Sequence, residues 1–185
     1  MQTQPSPRLP QRPPTEEQPS RPDLHVVSTA RSPRLFRVFA ITTAALVAAG
    51  GYVHFCLYRH GYRTIPKIGV GFLLQVITSA IVVVALLIGP HRVARLTGAA
   101  HLTDRWAAIL TGLAAAALAG GTLVAFALTR TPGGLFNFQE RGLQPAPQAL
   151  IALLAESGVL VVLGAELLTA HLVRREPRTV AVNRV

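Results

Sequence analysis

Residues 68–89 read IGVGFLLQVITSAIVVVALLIG and contain no Lys, Arg, Asp or Glu. A run of about 20 apolar residues, rising about 1.5 Å per residue as a helix, crosses a hydrocarbon core roughly 30 Å thick. In lipid the backbone must satisfy its own hydrogen bonds, and a run of this length does so as a helix. Outward from this segment, three more runs follow the same pattern: Arg37 to Arg59, Arg105 to Arg130 and Pro147 to Arg174. The spacing predicts spans near 38–58, 68–89, 106–129 and 148–171, an all-α four-helix transmembrane bundle over residues 37–172.

Proline punctuates this reading. The prolines at 66, 90, 132, 145, 147 and 177 fall outside the runs, where they place the loops. The other eight of the fourteen crowd residues 1–34, among Gln, Ser, Arg and Glu, with no apolar periodicity to offset ordering entropy. Residues 1–36 are expected to be a disordered Pro/Arg-rich tail, and 173–185 a second tail. The composition agrees, since 50% of the chain is apolar and 14% is charged, against about a quarter charged in soluble domains.

The net charge of +10 admits nucleic acid, anionic lipid or topology as its cause. Position decides among them. Arg8, Arg12, Arg21, Arg31, Arg34, Arg37, Arg92, Arg95, Arg105, Arg174, Arg175, Arg178 and Arg184 fall on one side, and Arg59, Arg63, Lys67, Arg130 and Arg141 on the other. The positive-inside rule puts both termini and the central loop in the cytoplasm, beside anionic headgroups. No nucleic-acid partner is expected. Arginine dominates the basic residues and alanine is abundant, which suggests a GC-rich bacterial genome and a plasma membrane location. The apolar stretch of the first span runs past Ala48, Ala49 and Gly50 to Tyr58, so it reads as a signal anchor and not a cleaved leader. Cys56, the one cysteine, forms no internal disulfide, and the residues before it do not make a lipoprotein box. Tyr52, Phe55, Tyr58, Phe136 and Phe138 gather at the outer interface, and Phe36, Phe39 and Trp106 at the inner one.

Ala108, Gly112, Ala116 and Gly120 recur every four residues on the third span and predict a smooth ridge for close helix packing. Four polar groups lie where lipid is expected: His54, Gln75 and Glu156 in the outer half, and Glu166 in the inner half within reach of Thr42, Thr43 and Thr111. Each Leu, Ile or Val of the fourth span favours insertion by about 0.3–0.6 kcal/mol, and an ionised acid near the centre opposes it by roughly 2.5–3.5. At least one glutamate is therefore expected to be protonated or paired. Ten residues place Glu166 about 80° around the helix from Glu156, so both can face a common interior. As functional groups they are steps in a proton or cation path, or a binding site for a cationic or hydroxylated substrate; as structural ones they hydrogen-bond neighbouring helices and fix bundle register. His54 reads as a snorkelling interfacial histidine and Gln75 as interhelical glue.

Arg59, His60, Tyr62, Arg63 and Lys67 form a basic external loop in which Gly61 and Pro66 suit a tight turn, with recognition of an anionic group as the alternative. Leu135-Phe136-Asn137-Phe138-Gln139-Glu140 is expected to lie on the membrane surface near the bundle mouth. No nucleophile with a base, phosphate loop or metal-ligand spacing is present, so no catalytic residue, metal or cofactor is expected. His54, His91, His101 and His171 lack the spacing of a haem or metal site.

In Tyr62-Arg63-Thr64-Ile65-Pro66-Lys67-Ile68-Gly69, Phe72-Leu73-Leu74-Gln75 and Leu135-Phe136-Asn137-Phe138-Gln139-Glu140, the chain resembles uncharacterised small four-span integral membrane proteins of actinobacteria. The resemblance covers about residues 37–172, implies four spans and a bacterial plasma membrane, and implies no activity. Two functions are expected from the residues. The first is a non-enzymatic scaffold, assembly or interaction protein, with a homo-oligomer or another membrane protein as its partner. The alternative is a small proton-coupled transporter or permease with Glu156, His54 and Gln75 along the path.

Overall fold

The computed structural model describes residues 33–96, 98 and 104–175. The predicted tails before residue 33 and after Arg175 lie outside them, as do His101 and the side chains of His91 and Arg174. The described chain forms α1 (Pro33–Arg59), a 3-10 turn at Tyr62–Thr64, α2 (Ile68–Ile88), α3 (Pro90–Leu96), α4 (Asp104–Leu128) and α5 (Gln148–Arg175). Four of these helices, α1, α2, α4 and α5, are long and apolar enough to cross a membrane. Helix α1 opens at Pro33, ahead of the expected start of the first span, because proline's fixed φ suits a first helical turn. The same preference explains α3, within what is expected to be the loop between the second and third spans: Gly89, at φ 83°, ends α2, and Pro90 starts a new short helix.

Helix α1 is the strut of the bundle. It packs against α2 and α5, while α4 leans mainly on α5, more lightly on α2, and barely touches α1. Of the four, α1 is the least apolar and the most buried: 39% of its best apolar window is buried, against 11% for α2, the most apolar. A soluble bundle orders these the other way, because burial there follows apolarity. Here Leu74, Ile81, Val84 and Leu87 of α2, and Leu154, Val161 and Leu167 of α5, face outward. Apolar side chains project outward because lipid is their solvent.

Close approach to α1 is made possible by Gly50 and Gly51. A Cβ on Gly50 would stand 2.7 Å from Oε1 of Glu156, and one on Gly51 would stand 2.7 Å from Cβ of Ser79. Gly158 of α5 similarly admits Leu46, whose Cδ1 lies 3.1 Å from where its Cβ would be. On α4 the buried small residues are Ala107, Ala115 and Ala119, one position before the predicted ridge. Ala108, Gly112, Ala116 and Gly120 are half-buried, and no atom approaches within 4 Å of a Cβ placed on either glycine. The four-residue period is thus present, but the face that packs is rotated by one residue. Val47, Val82, Ala115, Ala119 and Val159 fill the middle of the bundle as one dry cluster.

Candidate functional site

Above that cluster, at the end carrying the 3-10 turn, lies a cavity of about 220 Å³ lined by side chains of α1, α2, α4, α5 and both loops of that end. His54, Gln75 and Glu156, predicted on three separate spans, all line it. Gly50 joins two of them. Its bare backbone makes room for the Glu156 carboxylate, and its carbonyl accepts a hydrogen bond of 2.8 Å from Nδ1 of His54. Since a carbonyl only accepts, Nδ1 carries the proton, and in the neutral ring the lone pair is on Nε2. His54 is 8% exposed, so it is not the snorkelling residue that its place near the helix end suggests. Gly50 and Phe72, whose ring centroid lies 5.1 Å from its own, hold it inward.

Glu156 is 2% exposed. Nε2 of Gln75 donates to its Oε1 at 3.2 Å, and among the described residues no cation forms an ion pair with it. Gln75 therefore does act as glue between α2 and α5, yet it does so on the cavity wall. A buried carboxylate with a single neutral donor is incompletely compensated, because burial removes several kcal/mol of hydration per ion.

The upper wall is aromatic. Tyr62 stacks on Phe72 at 4.8 Å and meets Phe138 edge-on at 5.9 Å. Its hydroxyl donates to Glu140. Glu140 in turn pairs with Arg130 at 3.2 Å. The Arg130 guanidinium lies 3.4 Å above the Phe126 ring and donates to the carbonyls of Phe126, Gly142 and Gln144, and to Thr129. Burial, followed by the hydrogen bond to Glu140 and its charge, pushes the Tyr62 phenol above its ordinary value, against a smaller opposing pull from Arg130. This latch ties the loop after α4 to the turn between α1 and α2. In sequence, Glu140 is a loop residue and Arg130 a charge that bears on topology; neither pattern predicts their pairing. The available signal was that Glu140 is the one acid in the two loops of that end.

The basic loop between α1 and α2 is a well-tied turn. Gly61 at φ 127° admits the reversal, Thr64 donates to its carbonyl, and His60 donates to the Cys56 carbonyl at 2.6 Å. Arg59 lies over Phe55 and Lys67 over Phe136, while Arg63 is exposed. Phe136 and Asn137 have φ of 55° and 64°, and the Leu135 and Phe138 backbones bond each other across them, a left-handed turn that a bulky residue adopts at about 1–2 kcal/mol.

Glu166 does not share this space. It lines a second, smaller cavity at the opposite end, with Thr43 and Thr111, on the far side of the valine cluster. The common interior expected for the two glutamates is therefore divided in two. Thr42, predicted to reach Glu166, is exposed and does not line this cavity. Thr43 is fully buried, and its hydroxyl has no hydrogen-bond partner among the described residues. No group of three His, Cys, Asp or Glu side chains is placed to hold a metal among the described residues. No family model, curated protein or solved structure matches the chain.

Proposed function

We propose that this four-helix membrane protein is a small carrier whose substrate site is the Glu156 cavity. One observation carries the reading: three polar side chains from three helices line one cavity, Gln75 bonded to Glu156 and His54 turned to its own backbone, and an apolar cluster separates that cavity from a second one bearing Glu166. Two chambers at opposite ends, each bearing a glutamate, with a packed barrier between them, are what alternating exposure of a site requires. Buried acids supply the exchangeable proton that couples such movement to a gradient.

The scaffold reading keeps one observation in its favour, the Gln75 to Glu156 bond, which is of the kind that fixes helix register. It leaves the cavity beside that bond without a role. The charge asymmetry of the loops supports cytoplasmic termini, with the Glu156 cavity toward the outside of a bacterial plasma membrane. The resemblance to small actinobacterial four-span proteins supports the same setting.

The test uses liposomes loaded with a pH-sensitive dye and reconstituted with the protein. A panel of small amines, acids and sugars is added outside, and proton movement is followed. The wild type gives substrate-dependent proton flux, and Glu156→Gln, which keeps most of the hydrogen bonding, inserts normally and gives none. Equal flux in the variant removes Glu156 from the path.

A further inference from the structure

We infer that the ligand of this cavity is a compact organic ammonium cation bearing an apolar or aromatic group; the inference rests on the reading of the cavity as a substrate site. The floor offers acceptors in want of a donor. Glu156 receives one hydrogen bond from a neutral amide, and His54, its Nδ1 proton already given to Gly50, presents Nε2 as an acceptor. An ammonium group brings both the positive charge and the N–H donors that these groups lack. The walls fit the rest of such a molecule, since Phe72, Tyr62 and Phe138 supply aromatic surface, and aromatic faces attract cations.

The cations at the mouth are engaged with neighbours of their own. Arg130 would favour an anion, but its guanidinium is taken by Glu140, by three carbonyls and by the Phe126 face. Lys67 is exposed and lies over Phe136. At the cavity's floor the charged group is the Glu156 carboxylate, which has no ion pair among the described residues. Size sets the scale: a cavity of about 150 Å³ holds benzene, so about 220 Å³ holds a ring with a short aminoalkyl arm. Entry has a route as well. Gly71 of α2 and Gly121 of α4 line the cavity, are exposed, and have no atom within 4 Å of a Cβ placed on either. The α2–α4 seam is thus open beside the cavity, and an amphipathic molecule reaches it from the bilayer.

The experiment is calorimetric titration of the protein in lipid nanodiscs with 2-phenylethylamine and with 2-phenylethanol, a neutral molecule of the same size. Wild type, Glu156→Gln and the cavity-filling Gly121→Leu are compared. The expected result is that the amine binds wild type about tenfold or more tightly than the alcohol, that Glu156→Gln abolishes the difference, and that Gly121→Leu weakens both. If amine and alcohol bind alike, are indifferent to Glu156→Gln and are lost in Gly121→Leu, the ammonium inference is overturned and the cavity remains a ligand site of another class. If neither probe binds wild type above the level of Gly121→Leu, the ammonium inference is overturned too, and the proton-flux experiment decides separately whether the cavity is a carrier site.

Discussion

The carboxylate of Glu156 rests on the bare backbone of Gly50, with Oε1 only 2.7 Å from the position a Cβ would take. This contact lets an acid of α5 and a histidine of α1 share one glycine, and it makes the geometry of the cavity floor sensitive to a single methyl group.

Gly50→Ala is therefore expected to push Glu156 away from Gln75 and to destabilise the bundle by about 1–3 kcal/mol, the usual range for overpacking. Gly164→Ala is the control: it lies on the same helix as Glu156 with nothing within 4 Å of its Cβ, and should be neutral or slightly stabilising. Thermal unfolding in detergent micelles compares the two.

Gly51 gives a compensation test. Gly51→Ala collides with Cβ of Ser79, so Ser79→Ala leaves the collision in place and Ser79→Gly relieves it. The double variant Gly51→Ala with Ser79→Gly should recover most of the stability that Gly51→Ala loses. Ser79→Ala alone should be neutral or stabilising by up to about 1 kcal/mol, because its buried hydroxyl has no partner to lose. Thr111, Thr122 and Thr169 differ, each donating to the carbonyl four residues earlier.

Tyr62 makes the latch sensitive to alkali. Its phenol is held above its ordinary value of about 10. A raised value in the folded state means that the stability it contributes is fully present below about pH 10 and is lost as pH climbs through the folded value. The phenolate absorbance of Tyr62, isolated as wild type minus Tyr62→Phe, should appear well above pH 10 in the folded protein. Appearance at pH 10 would mean that Glu140 and burial do not act on it.

Arg130→Lys should free the loop that follows α4. Lysine keeps the charge but cannot reproduce a planar fork that bonds the Gly142 and Gln144 carbonyls while stacking on Phe126. Faster amide exchange across residues 131–145, with α1 and α2 unchanged, is the expected signature.

The four spans were legible because lipid imposes length and apolarity on each helix, and α2 alone shows both. The polar residues were legible for the same reason: His54, Gln75 and Glu156 interrupt apolar runs. Their convergence was not, since facing one cavity depends on helix rotation, which Gly50 and Gly51 set through contacts with α5 and α2. The ridge on α4 shows the difficulty, because alanine is so frequent there that the packing face and the face beside it carry nearly the same pattern. The latch was hidden for another reason: Arg130 and Glu140 lie ten residues apart in loop sequence, where no periodicity predicts a meeting.

The proposed ligand site requires that the space around Glu156 be reachable and not packed core. It is tested by the rate at which a trimethylammonium-bearing methanethiosulfonate modifies Thr122→Cys, on the cavity wall, and Val82→Cys, in the dry cluster, each in a Cys56→Ser background. Thr122→Cys is expected to react readily in liposomes, more slowly when Glu156→Gln removes the attraction for the cation, and Val82→Cys not at all. Equal inertness of the two cysteines would contradict the account.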